Sequence, residues 1–202
     1  MRTFARATLA AVAASMLTQA TPVGAQDARW RMAKSLPQPL GEIVSTVIGK
    51  KWYVFGGYDG ANVQPQGVVL EYDAAAETWT AKKNMLIPAH HAAAVALDGK
   101  IYVFGGFVGR PGARVWQPII SALVYDPAAD SWKELAPMPT PRGSAAAVAL
   151  DGKIYVIGGA HANIPGKPGT EPLAVGVPPS AAVPQIVTGA VEEYDPATNS
   201  WR

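Results

Sequence analysis

Short apolar runs bounded by Gly, Asp and Pro recur along most of this chain, and they come in pairs. AAAVAL at 92–97 is closed by Asp98-Gly99 and followed by KIYVFGG at 100–106. AAAVAL at 145–150 is closed by Asp151-Gly152 and followed by KIYVIGG at 153–159. Over the windows 92–107 and 145–160, fourteen of sixteen letters agree. An Asp-Gly pair between two apolar runs predicts a hairpin with a type I′ turn, because both central residues need positive φ. A third, more divergent copy, VSTVIGKKWYVFGGY, lies at 44–58. Downstream of each Gly-Gly comes a Tyr-Asp pair, at 72–73, 125–126 and 194–195, and each Tyr is followed seven residues later by Trp. The segment between them, DPAADSW in the second copy, reads as a tight turn. Each unit therefore predicts four strands: an Ala-rich run, the run into Gly-Gly, a run ending at Tyr-Asp, and one starting near Trp.

Four short strands on a period near fifty residues predict an all-β propeller, one blade per repeat. Ala92, Ala94 and Ala96 fall on one side of a strand, as do Ala145, Ala147 and Ala149. Small residues there let wedge-shaped blades crowd together at a central axis. The order Gly-Gly, loop, Tyr-Asp, six residues, Trp resembles the kelch repeat over about residues 30–202. The resemblance implies a propeller, commonly of six or seven blades, with the glycines packed under aromatic side chains. Blades are expected at about 40–83, 90–136 and 143–202. Three do not close a ring. The stretch 30–39 reads as an orphan outer strand, and the last blade is expected to be short of its own. The expectation is a partial propeller that continues in further C-terminal blades, or a homodimer whose two halves make a six-bladed ring. Either way, the open faces of the first and third blades should be apolar.

Residues 1–25 carry Arg2 and Arg6, an apolar run from Ala7 to Leu17, and Val23-Gly24-Ala25. This is the three-part pattern of a signal peptide, with residues 26–202 as the mature repeat region and an exported, periplasmic or secreted protein as the expectation. Without that segment the formal charge is zero, with 15 basic and 15 acidic side chains left, so no nucleic-acid footprint remains. No segment is long and apolar enough to be a membrane-spanning helix. The chain has no cysteine, which excludes disulfides and thiolate metal sites.

Function on repeat scaffolds lies in the variable loops. The loop after Gly-Gly offers Tyr58, Asp59 and Asn62 in the first unit, Arg110, Arg114 and Trp116 in the second, and His161 and Asn163 in the third. The turns into the inner strands add His90, His91 and Arg142. The third loop, a Pro-rich insertion over 161–189, is read as a solvated insertion or a lid. Arg142 stands where the kelch pattern often has Arg, with Leu40 and Ala89 in the other units. There it braces a neighbouring loop or receives a carboxylate. His90 and His91 are adjacent on a strand, so their rings are expected to diverge, and no metal or other cofactor is expected. Asp73, Asp126 and Asp195 recur in every unit and read as turn residues. Two classes stay open: a binding module presenting loops to a glycan or protein ligand, and a sugar-active enzyme. The resemblance extends to galactose oxidase, whose copper site needs a Tyr–Cys crosslink that these residues cannot form, and to the sialic acid mutarotases, which need an Arg and an acid–base residue on one face.

Overall fold

Each pair of apolar runs forms a hairpin in the computed structural model, which describes residues 30–60, 64–110, 113–162 and 185–202. The first sheet takes β1 (Val44–Ile48), β2 (Lys51–Phe55), β3 (Val69–Asp73) and β4 (Thr78–Ala81) in that order. The second takes β5 (Ala93–Leu97), β6 (Lys100–Phe104), β9 (Ala122–Asp126) and β10 (Ser131–Glu134), with the hairpin of β7 (Phe107–Arg110) and β8 (Ala113–Pro118) inserted after β6. The third takes β11 (Ala146–Leu150), β12 (Lys153–Ile157), β15 (Val191–Asp195) and β16 (Ser200–Trp201), with β13 (Ala160–Ala162) and β14 (Gln185–Val187) inserted. All ladders are antiparallel, and no helix occurs among the described residues. This is the all-β partial propeller that the repeats predict.

The turns follow the expected chemistry. Asp98 and Gly99 have φ of 51° and 74°, and Asp151 and Gly152 have 50° and 72°, as a type I′ turn requires. The recurrent aspartates are turn residues: Asp73 Oδ1 accepts from the amides of Ala75 and Ala76 at 2.8 and 3.0 Å, while Oδ2 accepts from Lys51 Nζ at 2.6 Å. Lys100–Asp126 and Lys153–Asp195 repeat the ion pair. The Lys51 hydrogen bond, then the two amides, lower the Asp73 carboxyl from 3.8 to about 2. A depressed carboxyl contributes stability that is complete above its unfolded value and lost as pH falls through the folded one. Asp73→Asn is therefore expected to flatten the acid limb of the stability curve between about pH 4 and 2, as read by urea unfolding at successive pH values.

The core lies between sheets. Tyr53 and Phe55 of the first meet Tyr125 of the second, and Phe55 meets Trp132 edge-on at 5.8 Å. Tyr102 and Phe104 of the second meet Tyr194 and Trp201 of the third in the same way, at 5.4 Å for Phe104–Trp201. The alanines behave as the alternation predicts: Ala92 and Ala94 pack toward the first sheet, Ala145 and Ala147 toward the second. Each indole also ties its blade to the chain before it. Trp132 Nε1 donates to Lys83 O and Trp201 Nε1 to Ala136 O, at 2.9 and 2.8 Å.

The chain divides into two units, Met1–Ala33 and Lys34–Arg202. The expected leader at 1–25 lies outside the described residues. The described residues of the first unit, 30–33, have no regular secondary structure. Within the second unit, residues 34–39 form no strand either, and among the described residues no strand pairs with them. Trp79 Nε1 nevertheless donates to Lys34 O at 2.9 Å, so Lys34 holds the place of Lys83 and Ala136. On the third sheet, Val148, Leu150, Ile157 and Val191 are exposed.

Candidate functional site

The variable loops leave the sheets at the Gly-Gly pairs, and the chain entering each inner strand passes beside them. Gly41 bridges Tyr58, His90 bridges Phe107, and Gly143 bridges Ala160. The residue after each of these, Glu42, His91 and Ser144, has φ of 54°, 53° and 55°. These equivalent positions are stitched across blades: His91 N–H donates to Glu42 O at 3.1 Å and Ser144 N–H to His91 O at 2.8 Å. The inner-strand entries of three blades thus form one continuous rim.

The positive φ of His91 overturns the expectation that its ring diverges from that of His90. Strand alternation holds for extended backbone, and one left-handed residue cancels it. The two Nδ1 atoms lie 2.8 Å apart. Glu42 Oε2 is 2.7 Å from His90 Nδ1 and 2.8 Å from His91 Nδ1. Glu42 Oε2 and His90 Nε2 are buried and complete no hydrogen bond. His90 is 1% exposed. Burial, followed by the neighbouring His91, lowers its pKa from 6.5 to about 4, so it is neutral at pH 7. Aromatic rings wall the group: Trp116 lies edge-on to His90 at 4.4 Å, Tyr58 and Phe107 are within 5.8 Å of it, and Phe107 is also 5.7 Å from His91.

Arg142 is 0% exposed and does not reach this cluster. Its Nη1 donates to Gly158 O and Ala190 O at 3.0 and 3.1 Å, and its Nη2 pairs with Glu192. Gly158 and Ala190 flank the third loop, so the guanidinium ties that loop's two ends together. Both Nη atoms are thus engaged within the chain, the arrangement of a brace, and the Nη2 position that an external carboxylate would take is occupied by Glu192.

The other candidates scatter. Tyr58 is half-buried beside Trp116 at 6.1 Å. Asp59 is half-buried and accepts from Gln66 Nε2 at 3.1 Å. His161 is buried on β13, where it pairs in register with Ile186. Arg110 and Arg114 lie on β7 and β8. Asn62 and Asn163, and most of the 161–189 insertion, lie outside the described residues. Glu42 is the member that sequence reasoning missed. Aligning the repeats shows a signal for it: Gly41-Glu42, His90-His91 and Gly143-Ser144 occupy equivalent positions, and this pair differs between the second and third units although AAAVAL, the strand that follows it, is identical in both.

Comparison with known proteins bears on what these repeats are. The KLHDC2/KLHL20/DRC7 Kelch-repeats domain matches residues 24–164, and the Kelch motif matches 141–202. Kelch-like protein terF of Aspergillus terreus is 36% identical over 132 residues, covering 62% of this chain and 28% of that protein. Human Kelch repeat and BTB domain-containing protein 12 is 27% identical over 186 residues, covering 85% of this chain and 27% of that protein. The chain thus spans little more than a quarter of these relatives. The solved structure of YjhT superposes with a TM-score of 0.63 at 22% identity, covering 82% of this chain and 51% of that one, and shares the fold. These relatives overturn the expectation of export. They are kelch-like and kelch-repeat BTB-domain proteins.

Proposed function

The chain belongs to the kelch-repeat family, and from that premise we propose that it is a protein-binding module whose binding face is the rim and loops beside the Gly-Gly pairs. One observation carries the reading. The residues that repeat from blade to blade (Gly-Gly, Tyr-Asp and Trp in all three units, the inner-strand alanines in the second and third) are engaged in holding the scaffold. The residues that change lie together on this face: Glu42, Tyr58, His90, His91, Trp116 and the hairpin of β7 and β8. A rigid scaffold with its variation gathered on one face is the arrangement of a recognition surface. Half-buried aromatics such as Tyr58 and Trp116 are the side chains that most often anchor an interface. The exposed apolar residues of the third sheet support a further reading, that another blade, from a longer chain or a second copy, covers that face.

The test uses the immobilised full chain and the proteins it retains. Tyr58→Ala/Trp116→Ala is expected to weaken retention of a given partner at least about tenfold, while Lys133→Ala, on an exposed site of the outer strand β10, leaves it unchanged. Equal retention by all three chains would overturn the reading, as would displacement of the partner by free oligosaccharides, which would favour a glycan ligand.

A further inference from the structure

We propose that Glu42, His90 and His91 form a binding site for a divalent transition-metal ion, with zinc the representative case. The argument is independent of any protein partner. The three potential ligand atoms, Glu42 Oε2, His90 Nδ1 and His91 Nδ1, form a nearly equilateral triangle with edges of 2.7, 2.8 and 2.8 Å. Each edge is as short as a strong hydrogen bond, yet protons can satisfy at most two of the three. With one proton on an imidazole, at least one edge sets two lone pairs against each other. With a proton on each imidazole, both donate to Glu42 and the two Nδ1 atoms oppose one another at 2.8 Å. A cation off the plane of the triangle takes all three lone pairs at once.

The donor set suits such an ion. Two imidazoles and one carboxylate, without thiolate, favour Zn²⁺ and its first-row neighbours over Mg²⁺ or Ca²⁺. Three protein ligands leave a fourth position open, as in zinc sites that bind a further molecule. Metal–ligand lengths of roughly 2.1 Å call for edges of about 3.0–3.4 Å, so loading spreads the triangle by about half an ångström. Glu42 and His91 are partly exposed and free to make that movement, while the buried His90 stays fixed. The rings of Trp116, Tyr58 and Phe107 keep the site in an apolar surround, which strengthens charge–lone-pair attraction. The imidazoles converge because His91 is left-handed, and the Glu42 carboxylate is brought to them by the backbone bond between His91 and Glu42, which enter consecutive blades and meet where those blades adjoin.

Titration of the metal-free full chain with Zn²⁺ against a chromophoric chelator is expected to show one tight site, insensitive to excess Mg²⁺. Zn²⁺ should raise the thermal midpoint of the wild type by linkage. Glu42→Gln keeps the shape and removes the charge, and His91→Asn keeps a residue that tolerates positive φ. Each is expected to weaken Zn²⁺ at least about tenfold and to abolish the zinc-dependent rise in midpoint. Substituting Co²⁺ in the wild type, which requires no variant to fold, should give the visible absorption of a nitrogen-and-oxygen site of low coordination number. Absence of saturable Zn²⁺ binding, absence of the cobalt spectrum, or undiminished binding in either variant would overturn the proposal and leave the three groups as a proton-sharing triad.

Discussion

Glu192→Ala is expected to lower stability by about 3–5 kcal/mol, among the largest effects of any side-chain truncation in this chain. The cause is what the change leaves behind. Arg142 has no exposed surface, and its guanidinium is a cation that needs a compensating partner. With Glu192 removed, only the carbonyls of Gly158 and Ala190 face it, and Nε already has no partner. An unpaired charge in a buried site costs several times more than the lost pair itself contributed. The repeat supplies the control. Arg142 and Glu192 occupy the positions held in the first unit by Leu40 and Leu70, and in the second by Ala89 and Leu123. Leu70 and Leu123 are buried. Arg142→Leu/Glu192→Leu is therefore expected to recover most of the loss in urea unfolding. It should also loosen the base of the third loop, which the guanidinium holds through Gly158 and Ala190, and limited proteolysis within 163–184 reads that loosening. A double variant as unstable as Glu192→Ala would show that the pair holds more than its own charges.

Gly105→Ala is expected to cost a similar amount, about 3–5 kcal/mol, and for a different reason. A Cβ on Gly105 would lie 2.1 Å from the carbonyl oxygen of Arg142 and 2.9 Å from Met138 Cε. That same carbonyl accepts the Gly106 amide at 2.8 Å, the bond that joins the second blade to the chain entering the third. The added methyl cannot be housed by a rotamer change, since the opposing atom is backbone. The carbonyl must retreat, the Gly106 bond breaks, and the aromatic contact of Phe104 with Tyr194 and Trp201 opens with it. Gly99→Ala is the comparison that isolates the steric part. Gly99 also has positive φ, 74°, but nothing lies within 4 Å of its Cβ position. Its cost should stay near the backbone strain alone, about 1–2 kcal/mol. Equal losses at Gly99 and Gly105, measured as urea midpoints, would mean that strain and not blade docking explains the Gly-Gly pair.

The first glycine of the pair is thus required by a neighbouring blade, and the same holds at Gly56, where the opposing atom is Ala89 O at 2.2 Å. Repetition makes this legible as a motif without saying what it touches.

Much of the architecture follows from local physics and was open to reading in the chain itself. Asp98-Gly99 sets a hairpin because both residues tolerate positive φ, and the apolar runs on either side have the length and alternation of strands. Tyr125 and Trp132 recur seven apart because a tight turn returns the chain beside itself, and Asp126 caps that turn with its own side chain. Repeated three times, these local rules leave a stack of four-stranded sheets as the fold. The candidate site is another matter. The convergence of Glu42, His90 and His91 depends on one backbone angle at His91 and on a hydrogen bond between blades whose sequences lie about fifty residues apart. Neither is encoded in a local pattern, since an adjacent pair of histidines on a strand ordinarily points two ways. Arg142 looked available to a ligand because its partner, Glu192, lies beyond a long insertion. Local pattern determined the blades; tertiary packing decided which polar groups meet, because blade-to-blade contact brings together residues that no short-range rule relates.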